Sequence, residues 1–284
     1  MAPRVSKYMT TPVMAVRPTD TLAYARNLML KKGISRLVVV EDDMKLAGVV
    51  TASDIAEALV FRYPKRTIDS IRVEEAMTRD VISIEATRSV KTAAQLMLRN
   101  RIGGLPVLDA GGLAGIITRT DIVRSYADRY RSKHRVGDVM REATVANRGH
   151  SVFYIARLLY SDPSGKVIIV DSDNRPIGVV AKRDLLFTTI TPEMAVAGGK
   201  DRHYKVKRRA VYSDKIVADR MYLVPLAENI MTPDPIVVRP GDDLAHAASI
   251  MVSEGIGVLP VVDDDGSLLG VVTKQEILRV VAME

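Results

Sequence analysis

Gly33-Ile34-Ser35-Arg36-Leu37-Val38-Val39-Val40, followed by Gly48-Val49-Val50-Thr51-Ala52-Ser53-Asp54, is the first of four copies of one pattern. The second reads Gly103-Gly104-Leu105-Pro106-Val107-Leu108, then Gly115-Ile116-Ile117-Thr118-Arg119-Thr120-Asp121. The third is worn: Gly165-Lys166-Val167-Ile168-Ile169-Val170, then Gly178-Val179-Val180-Ala181-Lys182-Arg183-Asp184. The fourth is Gly255-Ile256-Gly257-Val258-Leu259-Pro260-Val261-Val262, then Gly270-Val271-Val272-Thr273-Lys274-Gln275-Glu276. Self-similarity of this kind decides the architecture before any single residue does.

Each copy opens with a methionine turn: Tyr8-Met9-Thr10, Ala76-Met77-Thr78, Val139-Met140-Arg141 and Ile230-Met231-Thr232. A short extended stretch follows, then a helix whose apolar face repeats at i, i+3, i+4 and i+7. That face is Leu22, Ala25, Met29 in copy one and Val90, Ala93, Ala94, Met97 in copy two. In copies three and four it is Val152, Ile155, Ala156, Leu159 and Leu244, Ala247, Ala248, Met251. Asp20, Thr87, His150 and Asp242 or Asp243 lie near the helix starts, with Asp and Thr suited to N-capping. Two Val/Ile-rich strands joined by an Asp/Gly turn come next. A second helix opens around Asp54, Asp121, Asp184 or Glu276. Each unit is thus β-α-β-β-α, of about 50–60 residues, too small to bury enough surface alone. Pairing of copies supplies the missing burial and forms a cleft. The predicted fold class is α/β (α+β).

The expected boundaries are 1–62 for unit 1, 63–130 for unit 2, 131–190 for the degenerate unit 3, 191–225 for a basic insertion and 226–284 for unit 4. With 284 residues, 47% hydrophobic and no cysteine, the composition is that of a globular chain without disulfide or thiolate chemistry. No run of about 18 apolar residues suggests a membrane span. The N-terminus shows no apolar signal core, so a cytoplasmic location is expected. A net charge of +7 points to an anionic partner: nucleotide, nucleic acid or membrane surface. The four histidines, His134, His150, His203 and His246, are scattered, and no metal-ligand or Walker-type spacing is present. A non-catalytic protein with no metal requirement is expected.

The run Met-Thr…Pro, Gly-hydrophobic-x-x-Leu-Pro-Val and Gly-hydrophobic-hydrophobic-Thr-x-x-Asp resembles the cystathionine β-synthase (CBS) domain. Four copies resemble the stand-alone tandem CBS proteins of archaea and the γ subunit of AMP-activated protein kinase. The resemblance implies two Bateman modules in a disk-like, pseudo-symmetric assembly that bind AMP, ADP or ATP and act on an effector protein. It implies ribose contacts from Asp54, Asp121, Asp184 and Glu276, and phosphate contacts from Thr51, Thr118, Thr273, Arg36, Arg119 and Lys274. A helix N-terminus favours phosphate, a hydroxyl can donate to it, and a carboxylate can accept from ribose hydroxyls. Thr51/Asp54 and Thr118/Asp121 are complete; Ala181 has lost the hydroxyl and Glu276 is one carbon longer. Of the cations, Arg36 suits phosphate geometry best, and Gly104 and Val258 leave copies two and four without its equivalent. Thr11, Pro12, Val13, Asp80, Val81, Pro235 and Ile236 are candidates for an adenine slot.

Two alternatives stay open. S-adenosylmethionine or another adenosine derivative shares the ribose contact. The insertion, with Lys205, Lys207, Arg208 and Arg209 beside His203 and Tyr204, and the linker Tyr126–Arg135 are candidates for nucleic-acid contact. Oligomerisation as a homodimer is a further option.

Overall fold

A computed structural model of the chain describes residues 3–42, 44–63, 65–186, 204–206 and 222–284. Copy one contains α1 (Val5–Tyr8), β1 (Ala15–Val16), α2 (Leu22–Lys32), β2 (Arg36–Val40), β3 (Leu46–Thr51) and α3 (Ala52–Glu57). Copy two contains β4 (Ile84–Glu85), α4 (Val90–Arg99), β5 (Gly104–Asp109), β6 (Gly112–Thr118) and α5 (Arg119–Arg129). Copy three contains β7 (Val145–Asn147), α6 (Val152–Ser161), β8 (Lys166–Val170) and β9 (Pro176–Ala181), with a 3-10 turn, Lys182–Leu186, in place of the second helix. An antiparallel pair, β10 (Tyr204–Val206) and β11 (Tyr222–Val224), lies in the insertion. Copy four contains α7 (Ala227–Ile230), β12 (Thr232–Pro233), α8 (Leu244–Ser253), β13 (Val258–Val262), β14 (Leu268–Thr273) and α9 (Lys274–Met283).

The same small sheet recurs. A short strand runs parallel to the first long strand, which pairs antiparallel with the second, as in β1-β2-β3 and β4-β5-β6. The predicted helix faces are buried throughout, except that Ala156 is only partly covered. The caps differ from expectation. Thr21, Ser89 and Ser151 accept from the backbone at the starts of α2, α4 and α6, and only Asp243 caps as predicted. Asp20 instead accepts from the Arg17 amide at 2.7 Å, closing the preceding turn, and His150 Nδ1 does the same with the Asn147 amide at 3.0 Å. A residue one step too early closes the turn rather than the helix.

The chain forms two compact units, Met1–Glu142 with Ile236–Glu284, and Ala143–Pro235. In the first unit, α4 and α5 of copy two pack on α8 and α9 of copy four, and their apolar faces merge into one core containing Met97, Ile122, Tyr126, Ala248, Met251 and Ile277. Copy one has a separate core around Leu22, Met29, Leu37, Val50 and Ile55. In the second unit, copy three is centred on Ile155, Leu159, Val167, Ile169 and Val180.

The opening methionine turns do not lie on their own copies. Thr10 bridges Ile116 of copy two, and Thr78 bridges Val49 of copy one. Arg141 bridges Val271, and β12 pairs with β9. A glycine receives each turn. A Cβ at Gly48 would sit 2.9 Å from Met77 Sδ, at Gly115 2.8 Å from Met9 Sδ, and at Gly270 2.5 Å from the Arg141 carbonyl oxygen, and one at Gly178 would collide with Met231 Sδ. These glycines are required for close approach, since none of the four has a positive φ.

Candidate functional site

The four strand-to-helix corners share a local logic. The last residue of the second long strand is extended, and the carboxylate three positions on folds back to accept its amide proton: a capping box. At Thr51 the amide and the hydroxyl both donate to Asp54 Oδ2 at 2.8 Å. At Thr118 they donate to Asp121 Oδ2 at 2.8 and 2.7 Å. At Thr273 the amide donates to Glu276 Oε2 at 3.0 Å, and the hydroxyl donates to the same oxygen. At Ala181 the amide alone donates to Asp184 Oδ2, at 2.7 Å. The threonine hydroxyl protons are therefore engaged within their own helices. A phosphate would have to draw one away or rely on other donors.

What distinguishes the corners is the second carboxylate oxygen. Among the described residues Asp54 Oδ1 has no hydrogen bond, and burial raises the Asp54 pKa against the hydrogen bonds from Thr51. Asp121 is buried, and its Oδ1 is held by Arg124 Nη1 at 3.0 Å. Glu276 is 3% exposed, and its Oε1 lies 3.2 Å from Arg279 Nη1 and 3.6 Å from Arg141 Nε. Asp184 Oδ1 lies 3.7 Å from Arg183 Nε.

The cations separate in the same way. Arg36 begins β2 directly opposite Thr51. Its guanidinium leaves copy one and lies over Gly103 and Gly104 of copy two. It is partly buried, and among the described residues it has no hydrogen-bonded or ion-paired carboxylate. Burial, then the Arg119 guanidinium, lower its pKa to about 10, with Asp121 and Asp54 acting the other way. It is a cation at neutral pH. Arg119 is desolvated too, which lowers its pKa against the pull of Glu276. Its Nη2 donates to the Ile102 carbonyl at 3.3 Å, while its buried Nε makes no hydrogen bond. Lys274 is used inside the first unit, where its Nζ donates to Thr120 Oγ1 at 2.9 Å.

Lys166 escaped the sequence reading. It stands opposite Ala181, the register position that Arg36 holds opposite Thr51. Burial, then Arg183, lower its pKa to about 8, with Asp184 and Asp162 opposing. Aligning the third copy on Val167 rather than on its glycine would have exposed the match. Lys182 lies over the Tyr160 ring, 5.1 Å from its centroid.

The exchange of opening turns redistributes the adenine candidates. Thr11, Pro12 and Val13 follow the bridge to β6 and so accompany the Thr118/Asp121 corner. Asp80 and Val81 follow the bridge to β3 and accompany Thr51/Asp54. Thr11, Pro12 and Asp80 are exposed, and Val13 and Val81 partly so. Pro235 is partly buried in the second unit, and Ile236 is exposed in the first.

The linker Tyr126–Arg135 is built into the first unit. Tyr126 is buried, stacks on Tyr130 at 5.1 Å between centroids and hydrogen-bonds His134 Nδ1 at 2.8 Å. Lys133 pairs with Glu284, and Arg135 Nη1 donates to the Gly241 carbonyl at 2.6 Å. Of the insertion's basic residues, Lys205 belongs to β10, while Lys207, Arg208 and Arg209 lie outside the described residues. Among the described residues no group of three His, Asp or Glu gathers where a metal could sit, and no helix is long and apolar enough to cross a membrane.

The family model for the CBS domain matches residues 5–61, 73–128, 136–188 and 227–283, and the chain belongs to that family. Protein MJ1225 of Methanocaldococcus jannaschii is 26% identical over 281 residues, 94% of either chain. Its crystal structure, described as that of a proposed archaeal homolog of g-AMPK, matches with a TM-score of 0.77 at 24% identity over 98% of this chain and 99% of that one. An uncharacterized conserved protein from Pyrococcus horikoshii matches at 0.65 and 21% identity, over 98% of this chain and 100% of its own. These likenesses are likenesses of fold. The inosine-5′-monophosphate dehydrogenase of Thermoplasma acidophilum is 33% identical over 248 residues, 87% of this chain but 44% of the enzyme. CBS domains are generally regulatory ligand-binding modules, and the mixed α/β architecture here is theirs.

Proposed function

We propose that the chain is a non-catalytic regulatory protein that binds an adenine nucleotide between copies one and two. Asp54 receives the ribose, and Arg36 with Arg119 faces the phosphate. The observation that carries this reading is the Arg36 guanidinium, which leaves copy one to lie over Gly103 and Gly104 of copy two and is desolvated beside the likewise desolvated Arg119. Buried charge without a partner is costly, and an anionic ligand removes that cost. The open Oδ1 of Asp54 supports it, since a ribose diol needs an acceptor not already in use. Glu276 and Thr273 are buried with their polar atoms engaged, so the fourth corner serves the fold. In copy three, Lys166 takes the role that the missing hydroxyl leaves to a cation.

Binding that favours one arrangement of the paired copies shifts their population and changes the surface offered to an effector. The test is thermal stabilisation of the full chain by AMP, ADP and ATP. Stabilisation that disappears in the Asp54→Ala/Asp121→Ala double variant supports the assignment. Stabilisation that persists there places the ligand elsewhere.

A further inference from the structure

Copy two has glycine at two successive positions, Gly103 and Gly104, where copy one has Ser35 and Arg36 and copy four has Gly257 and Val258. Neither has a positive φ, and Gly104 starts a regular strand paired with Thr118, so the backbone does not call for glycine at either place. What calls for it is the side chain above. A Cβ on Gly103 would fall 2.6 Å from Arg36 Nη2, and one on Gly104 would fall 2.5 Å from Arg36 Nη1. The guanidinium lies over bare backbone and occupies the volume that two side chains would otherwise take. Asp121 and Asp54 attract it and Arg119 repels it. Asp121 is committed to Thr118 and Arg124, and Asp54 to Thr51 through one oxygen.

We propose that Gly103 and Gly104 form a seat that holds the Arg36 guanidinium beside the Arg119 side chain, and that this seat selects adenosine ligands carrying a 5′-phosphate over neutral or cationic ones. The proposal rests on the nucleotide reading given above and specifies its ligand class. Two fixed cations at the 5′ end attract a phosphate, are indifferent to a hydroxyl and repel a sulfonium. Arg36 is the discriminating group, and the glycines are positioning residues that act through it. Adding one methyl group at Gly104 meets the Arg36 side chain first, with the Ile117 carbonyl oxygen next at 3.2 Å, and touches none of the residues assigned to ribose or adenine. Selectivity and overall affinity therefore separate.

The experiment measures binding of AMP, adenosine and S-adenosylmethionine to the full-length wild-type chain, Gly104→Ala, Arg36→Ala and the double variant. The wild type is expected to prefer AMP to adenosine by about 10-fold or more and to bind S-adenosylmethionine more weakly than adenosine. Gly104→Ala and Arg36→Ala should each collapse the AMP-to-adenosine ratio towards one, and the double variant should lose nothing further, because both act on one group. A Gly104→Ala chain that folds and keeps the wild-type ratio overturns the seat. If Gly104→Ala does not fold but Gly104→Ala/Arg36→Ala does, the clash is established, and Arg36→Ala alone then decides selectivity: an unchanged ratio sinks the proposal. If no adenosine compound binds the wild type, the nucleotide reading fails. Inorganic pyrophosphate then tests the seat by itself, since stabilisation by it that Gly104→Ala removes supports the seat and absence of stabilisation refutes it.

Discussion

Asp54 and Glu276 occupy the same place in copies one and four. Each closes a capping box with the threonine three residues earlier. Yet Asp54 keeps one oxygen open, while Glu276, one methylene longer, is buried with Arg141 and Arg279 on its remaining oxygen. Their surroundings differ accordingly. Copy four is packed helix to helix on copy two, whereas copy one keeps its own core and sends Arg36 outward. One motif thus supports two jobs, and the second carboxylate oxygen decides which.

The largest effect is expected at Glu276. Glu276→Ala leaves Arg141, Arg279 and the buried Thr273 without their shared acceptor, and should cost about 3 kcal/mol of stability, read as a drop in denaturant midpoint. A loss within the noise of a surface substitution would mean that the fourth corner is not structural. Next comes Asp54→Ala. Removing half of a cap costs about 1 kcal/mol of stability, but AMP binding should weaken by about 10- to 100-fold, the worth of a hydrogen bond to a charged group. Asp121→Ala should weaken it less, because Arg124 already holds the outer oxygen; equal losses would erase the distinction between open and closed corners.

The smallest effect concerns Lys166 and sharpens the same contrast in the second unit. Its folded pKa, about 8, lies below its ordinary value of 10.5. Between those values the unfolded chain binds more protons than the folded one, so stability rises with pH across that window and the penalty of the buried ammonium is fully present below it. Hydrogen exchange in β8 and β9 should slow, relative to intrinsic rates, between pH 8 and pH 10, and Lys166→Met should flatten the trend. An identical trend in the variant would assign it to another group.

Much of this was legible in the chain. The helix faces, the paired strands and the strand-to-helix corners all follow from residues within one copy, where periodicity and local hydrogen bonding leave a signature. The exchanged methionine turns were not, because Thr10 and Ile116 are joined by pairing across most of two copies and nothing near either residue announces it. The linker also misled: Tyr126, Tyr130 and Lys133 read as a basic aromatic surface, yet they stack and pair within the unit. Composition records which groups are present, not which are already satisfied. Lys166 was hidden by wear, since a degraded copy aligns on the wrong glycine.

The traded turns also govern how a chain of this kind can lengthen. Each module's second long strand is closed along its outer edge by a segment that belongs to another module, and the glycine beneath is shaped for that visitor. A lone added module would bring an edge with no visitor and a visitor with no edge, an invitation to aggregate. Added copies should therefore be tolerated by twos.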